Sequence, residues 1–563
     1  MRVLSAAGMQ ACDRLTTERF GVPSLDLMRA ASAALAAFAR HQFPRTRRLT
    51  VLCGRGNNGG DGMMAARLLA STGLDVTTLL LGAPNGLSGD TAQAWRELTS
   101  LEGGAAHGLI HVIERPEDLS RHRAALEADL ILDAVVGTGF KPPLKGLALA
   151  ALEWIGGSKA PILAVDLPSG WPADETSATV ADPVFPADAV ITFTAPKPAH
   201  VFGQLTRRWS QPVVVAPIGS QEEAIVSALE EDSLNLIWAG SSLSLAQTPR
   251  PAAANKGSFG HVLVVGGTLG TAGGKSGAPA MAALAALRSG AGLVTAAVPA
   301  PALPLVAAIA PELMTYPLAA TPAGSIAAQN LSAELVAALM AGKTVLAIGP
   351  GLGQSTETAK FTAGLLSATK IPAVIDADAL NILAAEPALL ADLAKLAEAG
   401  RTLVLTPHPG EMARLAGIPV AEVQANRLEV ARGFAQRLGV TLVLKGARTL
   451  IAHPGGRVAV NTTGNPGMAK GGSGDLLTGL IAGLMAQHPG ELARAVEAAV
   501  YLHGLAADLA VRVADEHTLL ATDSLAQLPR AFRFRASGPN GYLWLQGLPA
   551  EAVEAAALHE ATV

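Results

Sequence analysis

Short apolar runs, each followed by a glycine-rich or polar turn and an Ala/Leu helix, recur along the whole chain, and this alternation limits the fold more than any other feature. The first series of runs lies at 49–53, 76–80, 130–132, 161–165 and 189–193. A second series lies at 261–265, 293–298, 345–348, 373–375, 402–405, 441–444 and 458–460. Strands that alternate with helices build parallel sheets covered on both faces, so the fold class is α/β. Between the two series, residues 239–257 (AGSSLSLAQTPRPAAANKG) have weak periodicity and are rich in Ser, Ala and Pro. They read as a linker. The expected organisation is a first domain at 1–220, a connector and linker at 221–257, a second domain at 258–533 and a C-terminal tail at 534–563 without a motif.

Composition narrows the function classes. Hydrophobic residues make up 50% of the chain and charged residues 16%, which excludes a disordered polymer. The apolar excess raises the question of a membrane span, most sharply at 289–311, which carries no charge. Four prolines, Pro299, Pro301, Pro304 and Pro311, break that stretch. It is expected to be a buried core strand with turns and a short helix. Lys and Arg are scattered and the net charge is −4, so no nucleic-acid footprint is present. Cys12 and Cys53 are too few for a disulfide framework or a zinc ribbon. No apolar segment of signal-peptide type follows Met1, and the expected location is the cytoplasm.

In the first half, the run at 50–53 leads into Gly54-Arg-Gly-Asn57-Asn58-Gly59-Gly60-Asp61-Gly62 and then a helix. Strand, glycine turn and helix start form an arrangement that cradles a phosphate. The Asn57 and Asn58 amides offer carbonyl oxygens to a cation or a sugar hydroxyl. Asp61 could cap the helix or accept from a ribose hydroxyl. Two further runs end in acids: Asp133 leads into Ala-Val-Val-Gly137-Thr138-Gly139-Phe140-Lys141-Pro142-Pro143, and Asp166 into Leu-Pro-Ser169-Gly170. Ligands of open α/β sheets bind beyond the carboxyl ends of strands. Asn58, Asp133 and Ser169 could therefore converge on a hard monovalent cation.

In the second half, Gly274-Lys275-Ser276 looks like the end of a P-loop, but the first glycine that motif requires is Leu269 here, so the pattern fails. The stronger signal is Asn465-Pro-Gly-Met-Ala-Lys470-Gly471-Gly472-Ser473-Gly474-Asp475, followed by an apolar helix. Backbone amides at such a helix start form an anion hole for a transferring phosphoryl group. Asp475 stands where a general base for an attacking hydroxyl is needed. Other strand ends bear Gly349-Pro-Gly-Leu-Gly353, Asp376-Ala-Asp378, Pro407-His408-Pro-Gly-Glu411 and Lys445-Gly446-Ala447-Arg448-Thr449. The two carboxylates at 376 and 378 could bind Mg²⁺.

Through Asn57 to Asp61, Asp133 to Gly139, Asp166 to Gly170 and Thr192-Phe-Thr-Ala-Pro-Lys197, residues 1–215 resemble the NAD(P)H-hydrate epimerase family. The resemblance implies a Rossmann-like doubly wound sheet. It implies hydrate binding by Asn57, Asn58, Gly59, Gly60, Asp61, Gly137, Thr138, Gly139, Phe140, Lys141, Pro142, Pro143 and Asp166. It also implies potassium at Asn58, Asp133 and Ser169, with Asp166 as acid/base at the reacting ring. Residues 250–530 resemble the nucleotide-dependent NAD(P)H-hydrate dehydratases of the ribokinase-like superfamily. That resemblance implies a ribokinase-like α/β sandwich. It implies that Ala278, Gly353, His408 and Asp475 contact the hydrate. Lys445, Gly446, Ala447, Arg448, Thr449, Gly471, Gly472, Ser473 and Gly474 would bind an adenine nucleotide, ADP or ATP, with Mg²⁺. The implied chain is a bifunctional repair enzyme for hydrated NADH and NADPH, a homo-oligomer with small-molecule substrates only.

Overall fold

A computed structural model describes residues 1–100, 108–232, 234–271, 273–538 and 541–549. The chain divides into two compact units, Leu236–Phe534 and a first unit made of Met1–Asn235 with Arg535–Val563.

In the first unit the sheet runs Leu543–Gln546, Val213–Ala216, Ala189–Phe193, Ile162–Val165, Leu130–Ala134, Arg48–Cys53, Asp75–Leu81, Gly108–Ile113. All neighbours are parallel except the first pair. Its central strands are buried along almost their whole length, as a sheet covered on both faces requires. Arg48–Cys53 lies between Asp75–Leu81 and Leu130–Ala134, so the winding direction reverses there. The loops after Cys53 and Ala134 meet at this switch point: Gly54 N–H donates to Ala134 O at 3.0 Å, and a Cβ on Gly54 would lie 1.9 Å from Val135 O.

In the second unit the order is Leu236–Trp238, Val458–Val460, Leu450–Ala452, Thr441–Leu444, Leu403–Leu405, Ala373–Ile375, Val345–Ile348, His261–Val265, Leu293–Pro299, Met314–Leu318. His261–Val265 pairs in parallel with both Leu293–Pro299 and Val345–Ile348, which makes a second switch point. The uncharged stretch 289–311 contains the buried strand Leu293–Pro299 and the short helix Leu303–Ala307. No helix among the described residues is long and apolar enough to cross a membrane. The high Ala and Gly content serves close helix contact. A Cβ on Gly479 would lie 2.0 Å from Ala282 O, so the helices Gly277–Arg288 and Ser473–Gln487 meet backbone to backbone.

Two boundaries differ from expectation. Residues 221–257 are largely built into the domains: helix Glu222–Glu231 belongs to the first unit, while strand Leu236–Trp238 and helix Leu243–Ala246 belong to the second. Within 534–563, Leu543–Gln546 is an edge strand of the first unit's sheet, antiparallel to Val213–Ala216 with a bulge after Trp544. It is anchored by Tyr542 Oη donating to Ala34 O at 3.0 Å and by Gln546 Nε2 donating to Thr206 Oγ1 at 3.0 Å. Tyr542 and Trp544 stand edge-on to the buried Phe38 ring at 5.6 and 6.3 Å. Four residues pairing with a strand more than 300 positions earlier leave no local periodicity to read. Trp544→Ala is expected to cost the first unit about 3–5 kcal/mol, the usual loss for a truncated buried aromatic. Hydrogen exchange at Val213–Ala216 measures this, and unchanged protection there would refute the anchoring role.

Candidate active sites

A cavity of about 1370 Å³ opens at the first switch point. Asn57, Asn58, Asp61, Gly137, Thr138, Gly139, Phe140 and Asp166 all line it. The helix begins at Asn57, with Gly56 as its cap residue, so the 57–61 motif forms the first helical turns rather than a loop before them. Asp61 is therefore not the cap. Gly59 and Gly60 are buried below the cavity, and a Cβ on Gly59 would fall 1.9 Å from Gly54 O. Gly59 lets the helix sit on the strand-end turn and Gly60 makes room for the Met28 side chain, so the helix N-terminus rather than these glycines offers the anion site. Lys141, Pro142 and Pro143 are exposed and do not line the cavity.

Asp166 is the centre of a buried network. Its Oδ1 accepts from Lys197 Nζ at 2.7 Å and Thr192 Oγ1 at 2.8 Å. Its Oδ2 accepts from Thr138 N at 3.0 Å and Thr138 Oγ1 at 2.5 Å. Burial alone would raise its pKa, but Lys197, His200 and these donors outweigh burial and hold the carboxyl well below the usual range. His200 Nδ1 accepts from Lys197 N at 3.0 Å, which leaves Nε2–H to donate to Asp166 O at 2.7 Å. The backbone of Asp166 is left-handed, at φ +66°.

Around this fixed anion stand two carboxyls of the opposite tendency. Burial, then repulsion by Asp166 and Asp13, pushes Asp61 well above the carboxylate range. Burial also pushes Asp13 up to about 6, with Lys197 pulling it down and Asp166 pushing it up. Asp13, Lys197 and His200 were not among the expected site residues. The run 192–197 was legible as a family motif, but nothing in its spacing assigns Lys197 to Asp166. Asp13 lies on a helix with no glycine motif, and its only signal is the cavity-facing spacing of Gln10, Asp13 and Thr17.

Asp133 and Ser169 are joined directly: Ser169 Oγ donates to Asp133 Oδ1 at 2.6 Å and Ser169 N to Oδ2 at 2.8 Å. Burial raises Asp133 to about 6 against those donors. Both Asn58 side-chain atoms are buried without a hydrogen-bond partner. An orphaned buried amide calls for a ligand.

At the second switch point, Gly267 N donates to Pro350 O at 2.9 Å. The turn carries left-handed Gly349, Gly351 and Gly353, and a Cβ on Gly351 would press on Lys275 and, at 3.2 Å, on Ala278. Gly353 N donates to Asp378 Oδ2 at 2.9 Å, and Lys275 Nζ reaches the same oxygen at 3.1 Å. The P-loop look-alike is thus a β-hairpin, Leu269–Gly270 with Gly273–Gly274, whose following lysine lies against Asp378.

Lys445 Nζ is 2.8 Å from Asp376 Oδ1 and 3.9 Å from Glu411 Oε2. Burial works against its charge, but Asp376 and Glu411 keep the ammonium pKa raised. Thr478 Oγ1 donates to Asp376 Oδ2 at 2.6 Å. Both Asp376 oxygens thus have protein donors, as do those of Asp378, and no cluster of three metal-ligating side chains occurs among the described residues. Each oxygen of the two carboxylates expected to bind Mg²⁺ therefore already accepts from at least one protein donor.

Asp475 lies in the first turn of Ser473–Gln487, whose cap residue Gly472 is left-handed at φ +93°. The first N–H groups of a helix have no intrahelical partner. A Cβ on Gly474 would lie 3.5 Å from Lys445 Nζ and 4.0 Å from Asp376 Oδ2, so the anion loop borders the lysine. Burial, then Asp376, pushes Asp475 up to about 6. His408 caps Pro409–Ala416: its Nδ1 accepts from Gly410 N at 3.0 Å, leaving Nε2–H as the donor. Of the 445–449 segment, Gly446 and Ala447 are exposed, Thr449 Oγ1 donates to Gly446 O at 2.9 Å, and Arg448 turns a guanidinium N–H to Thr462 O at 3.1 Å. Asp508, buried and pushed up to about 6, holds the start of the glycine loop by accepting from Gly464 N at 2.9 Å and Asn465 Nδ2 at 3.0 Å.

His200 makes a pH prediction. Burial and Lys197 pull its pKa from 6.5 down to about 4. The unfolded chain takes up that proton first, so stability falls as pH drops through this window, by about 3 kcal/mol in all. Urea unfolding of the first unit across this range should give that slope, and His200→Gln should flatten it. An equal slope in the variant would exclude His200 as its source.

Residues 24–199 match the family described as YjeF-related protein N-terminus, and residues 262–530 match the family described as NAD(P)H-hydrate dehydratase. The bifunctional NAD(P)H-hydrate repair enzyme of Moorella thermoacetica is 40% identical over 542 residues, covering 95% of this chain and 97% of its own. That of Escherichia coli K12 is 34% identical over 530 residues, covering 92% and 91%. Among solved structures, the ADP/ATP-dependent NAD(P)H-hydrate dehydratase of Bacillus subtilis, co-crystallized with ATP/Mg²⁺, is 33% identical with a TM-score of 0.43, covering 52% of this chain and 97% of its own. Both relatives align through the two units alike, and the chain belongs to the family of bifunctional NAD(P)H-hydrate repair enzymes.

Proposed function

We propose that the chain repairs NADH and NADPH that have taken up water at the nicotinamide ring. The first unit interconverts the R and S hydrates. The second transfers phosphate from ADP to the hydroxyl of the S-hydrate, releasing AMP, and then eliminates phosphate to restore the dihydropyridine. Hydroxide is a poor leaving group and phosphate a good one, so phosphorylation makes the elimination feasible. The observation that carries this reading is Asp475, pushed up to about 6 beside the open N–H groups of Ser473–Gln487 and the Lys445 ammonium.

In the second unit Asp475 removes the hydroxyl proton as the oxygen attacks phosphorus. The helix N-terminus and Lys445 stabilise the charge that builds on the transferring group. Ala278, Gly353 and His408 Nε2–H face the hydrate, while Lys445 to Thr449 and Gly471 to Gly474 hold the nucleotide. Mg²⁺ would be held by the nucleotide phosphates and water, its usual ligands, with Asp376 and Asp378 at the strand end beside them. In the first unit, Asp166 stands as an anion against the reacting ring rather than as the expected acid/base, because Lys197, Thr192 and Thr138 hold it ionised. The orphaned Asn58 amide, with Asp133 and Ser169, fits a potassium ion, which would supply a fixed positive charge beside the substrate phosphates. Small-molecule substrates in the cytoplasm and a homo-oligomeric assembly complete the proposal.

Mixed hydrates incubated with ADP and Mg²⁺ should recover dihydronicotinamide absorbance in two phases, S fast and R slow. Asp475→Asn is expected to slow both by about 10²–10⁴-fold, the usual worth of a general base. Asp166→Asn should spare the fast phase and remove the slow one. Accumulation of a stable phosphorylated alcohol would refute the dehydratase reading in favour of a simple kinase.

A further inference from the structure

Asp13 has no part in the mechanism above, yet it faces the same cavity as Asp166. The helix Ala6–Glu18 turns Gln10, Asp13 and Thr17 into that cavity, one face at helical spacing. Lys197 and Asp61 line it as well. The contrast with Asp166 is chemical. Asp166 has two hydrogen-bond donors on each carboxylate oxygen and a lysine beside it. The Asp13 carboxyl has no hydrogen-bond partner among the described residues; its backbone is engaged in the helix, and its carbonyl also accepts from Thr17 Oγ1. One carboxyl is locked as an anion, and the other is unpaired, half-buried and open to the same ligand. Two carboxyls whose surroundings drive them apart take separate roles, one as fixed charge and one as proton carrier.

We infer that Asp13 is the proton donor of the epimerisation. The inference rests on the reading of the first unit as the epimerase. The hydrate hydroxyl sits on the ring carbon bonded to nitrogen. As that carbon–oxygen bond breaks, its electron pair leaves with the oxygen, which takes the Asp13 proton and departs as water. The nitrogen lone pair closes a C=N⁺ bond, and the Asp166 carboxylate stabilises this cation. Water then adds to the opposite face, forming a new carbon–oxygen bond. The proton it loses returns to the Asp13 carboxylate through solvent in the open cavity. One water leaves and one enters, nothing is oxidised or reduced, and Asp166 stays ionised throughout. Burial raises Asp13 to about 6, which keeps its proton available near neutrality.

The test uses the full chain, R-enriched NADH hydrate, ADP and Mg²⁺. Asp13→Ala should slow the R phase by about 10²–10⁴-fold with little change in KM for the R-hydrate, leaving the S phase intact. Buffered formate should restore the R phase in proportion to its acid form, and Asp13→Glu should retain most of it. An R phase at the wild-type rate in Asp13→Ala overturns the inference. So does a loss that neither formate nor glutamate restores, which would make Asp13 structural. Formate rescue of Asp61→Ala but not of Asp13→Ala would transfer the role to Asp61 and overturn it too. A wild-type chain with an S phase and no R phase at all would remove the epimerase reading itself, and the inference with it.

Discussion

Each unit is organised around one buried lysine–aspartate pair, Lys197 with Asp166 and Lys445 with Asp376, at 2.7 and 2.8 Å. Removing two charges from water costs several kcal/mol per ion and is offset only where further hydrogen bonds complete the shell. Both sites meet that condition with threonine hydroxyls: Thr138 and Thr192 on Asp166, Thr478 on Asp376. The product of each pair is a carboxylate that cannot be protonated near neutrality. A second carboxyl nearby is raised to about 6 chiefly by burial; at Asp475 the anion of the pair adds to that rise, while at Asp13 the pull of Lys197 outweighs the push of Asp166. The fixed pair therefore tunes a neighbour whose protonation burial sets. Losing either lysine would do more than break a contact, because it would leave an uncompensated buried anion, at a cost of about 3–5 kcal/mol, and would also reset the neighbour.

The location of the pairs follows from winding. In both sheets the chain reverses direction beside a central strand, Arg48–Cys53 in one and His261–Val265 in the other, and the loops leaving adjacent strand ends must diverge there. The crevice they leave is where polar side chains at strand ends can converge without cutting through the core. The two loops at each crevice touch through backbone, Gly54 against Val135 and Gly266 against Pro350, where a Cβ would fall 1.9 and 2.1 Å from a carbonyl oxygen. Glycine here is demanded by the approach of the two strand ends, before any ligand is considered.

That distinction explains how far the sequence could be read. The strands, the strand-end acids Asp133, Asp166 and Asp376, and Asp475 after its glycine loop were legible because apolar runs and glycine turns are local signals. The 57–61 motif was legible as a site, but not as a helix. Two consecutive glycines argue against helix on propensity, and only tertiary contact with Gly54 and Met28 reverses that preference. Asp13 was not legible as a site residue because the groups it faces, Asp166 and Lys197, lie more than 150 positions away, and Lys197 because its pairing with Asp166 spans 31 positions that carry no spacing signal. The edge strand Leu543–Gln546 was hidden for the same reason. The spacing of Asp376 and Asp378 shows two carboxylates near one another, and not that Lys445, Thr478, Gln354 and Gly353 donate to them.

Two of the five left-handed non-glycine residues among those described sit at the charged pairs. Asp166 at φ +66° and Ala377, next to Asp376, at φ +49° occupy a region that residues with a side chain rarely enter. Such residues persist only where their surroundings over-determine them. At Ala377 the surroundings are steric. A Cβ on Gly349 would fall 1.8 Å from Asp376 O, so the turn and the helix start are pressed together. At Asp166 they are polar. His200 Nε2–H holds the Asp166 carbonyl at 2.7 Å, and the same imidazole accepts the Lys197 amide, so one neutral ring clamps the backbone of both partners of the ion pair. A protonated His200 could not accept that amide and would place a second cation beside Lys197. Its neutrality is thus a condition of the left-handed turn at Asp166, and through it of the fixed anion on which the first site depends.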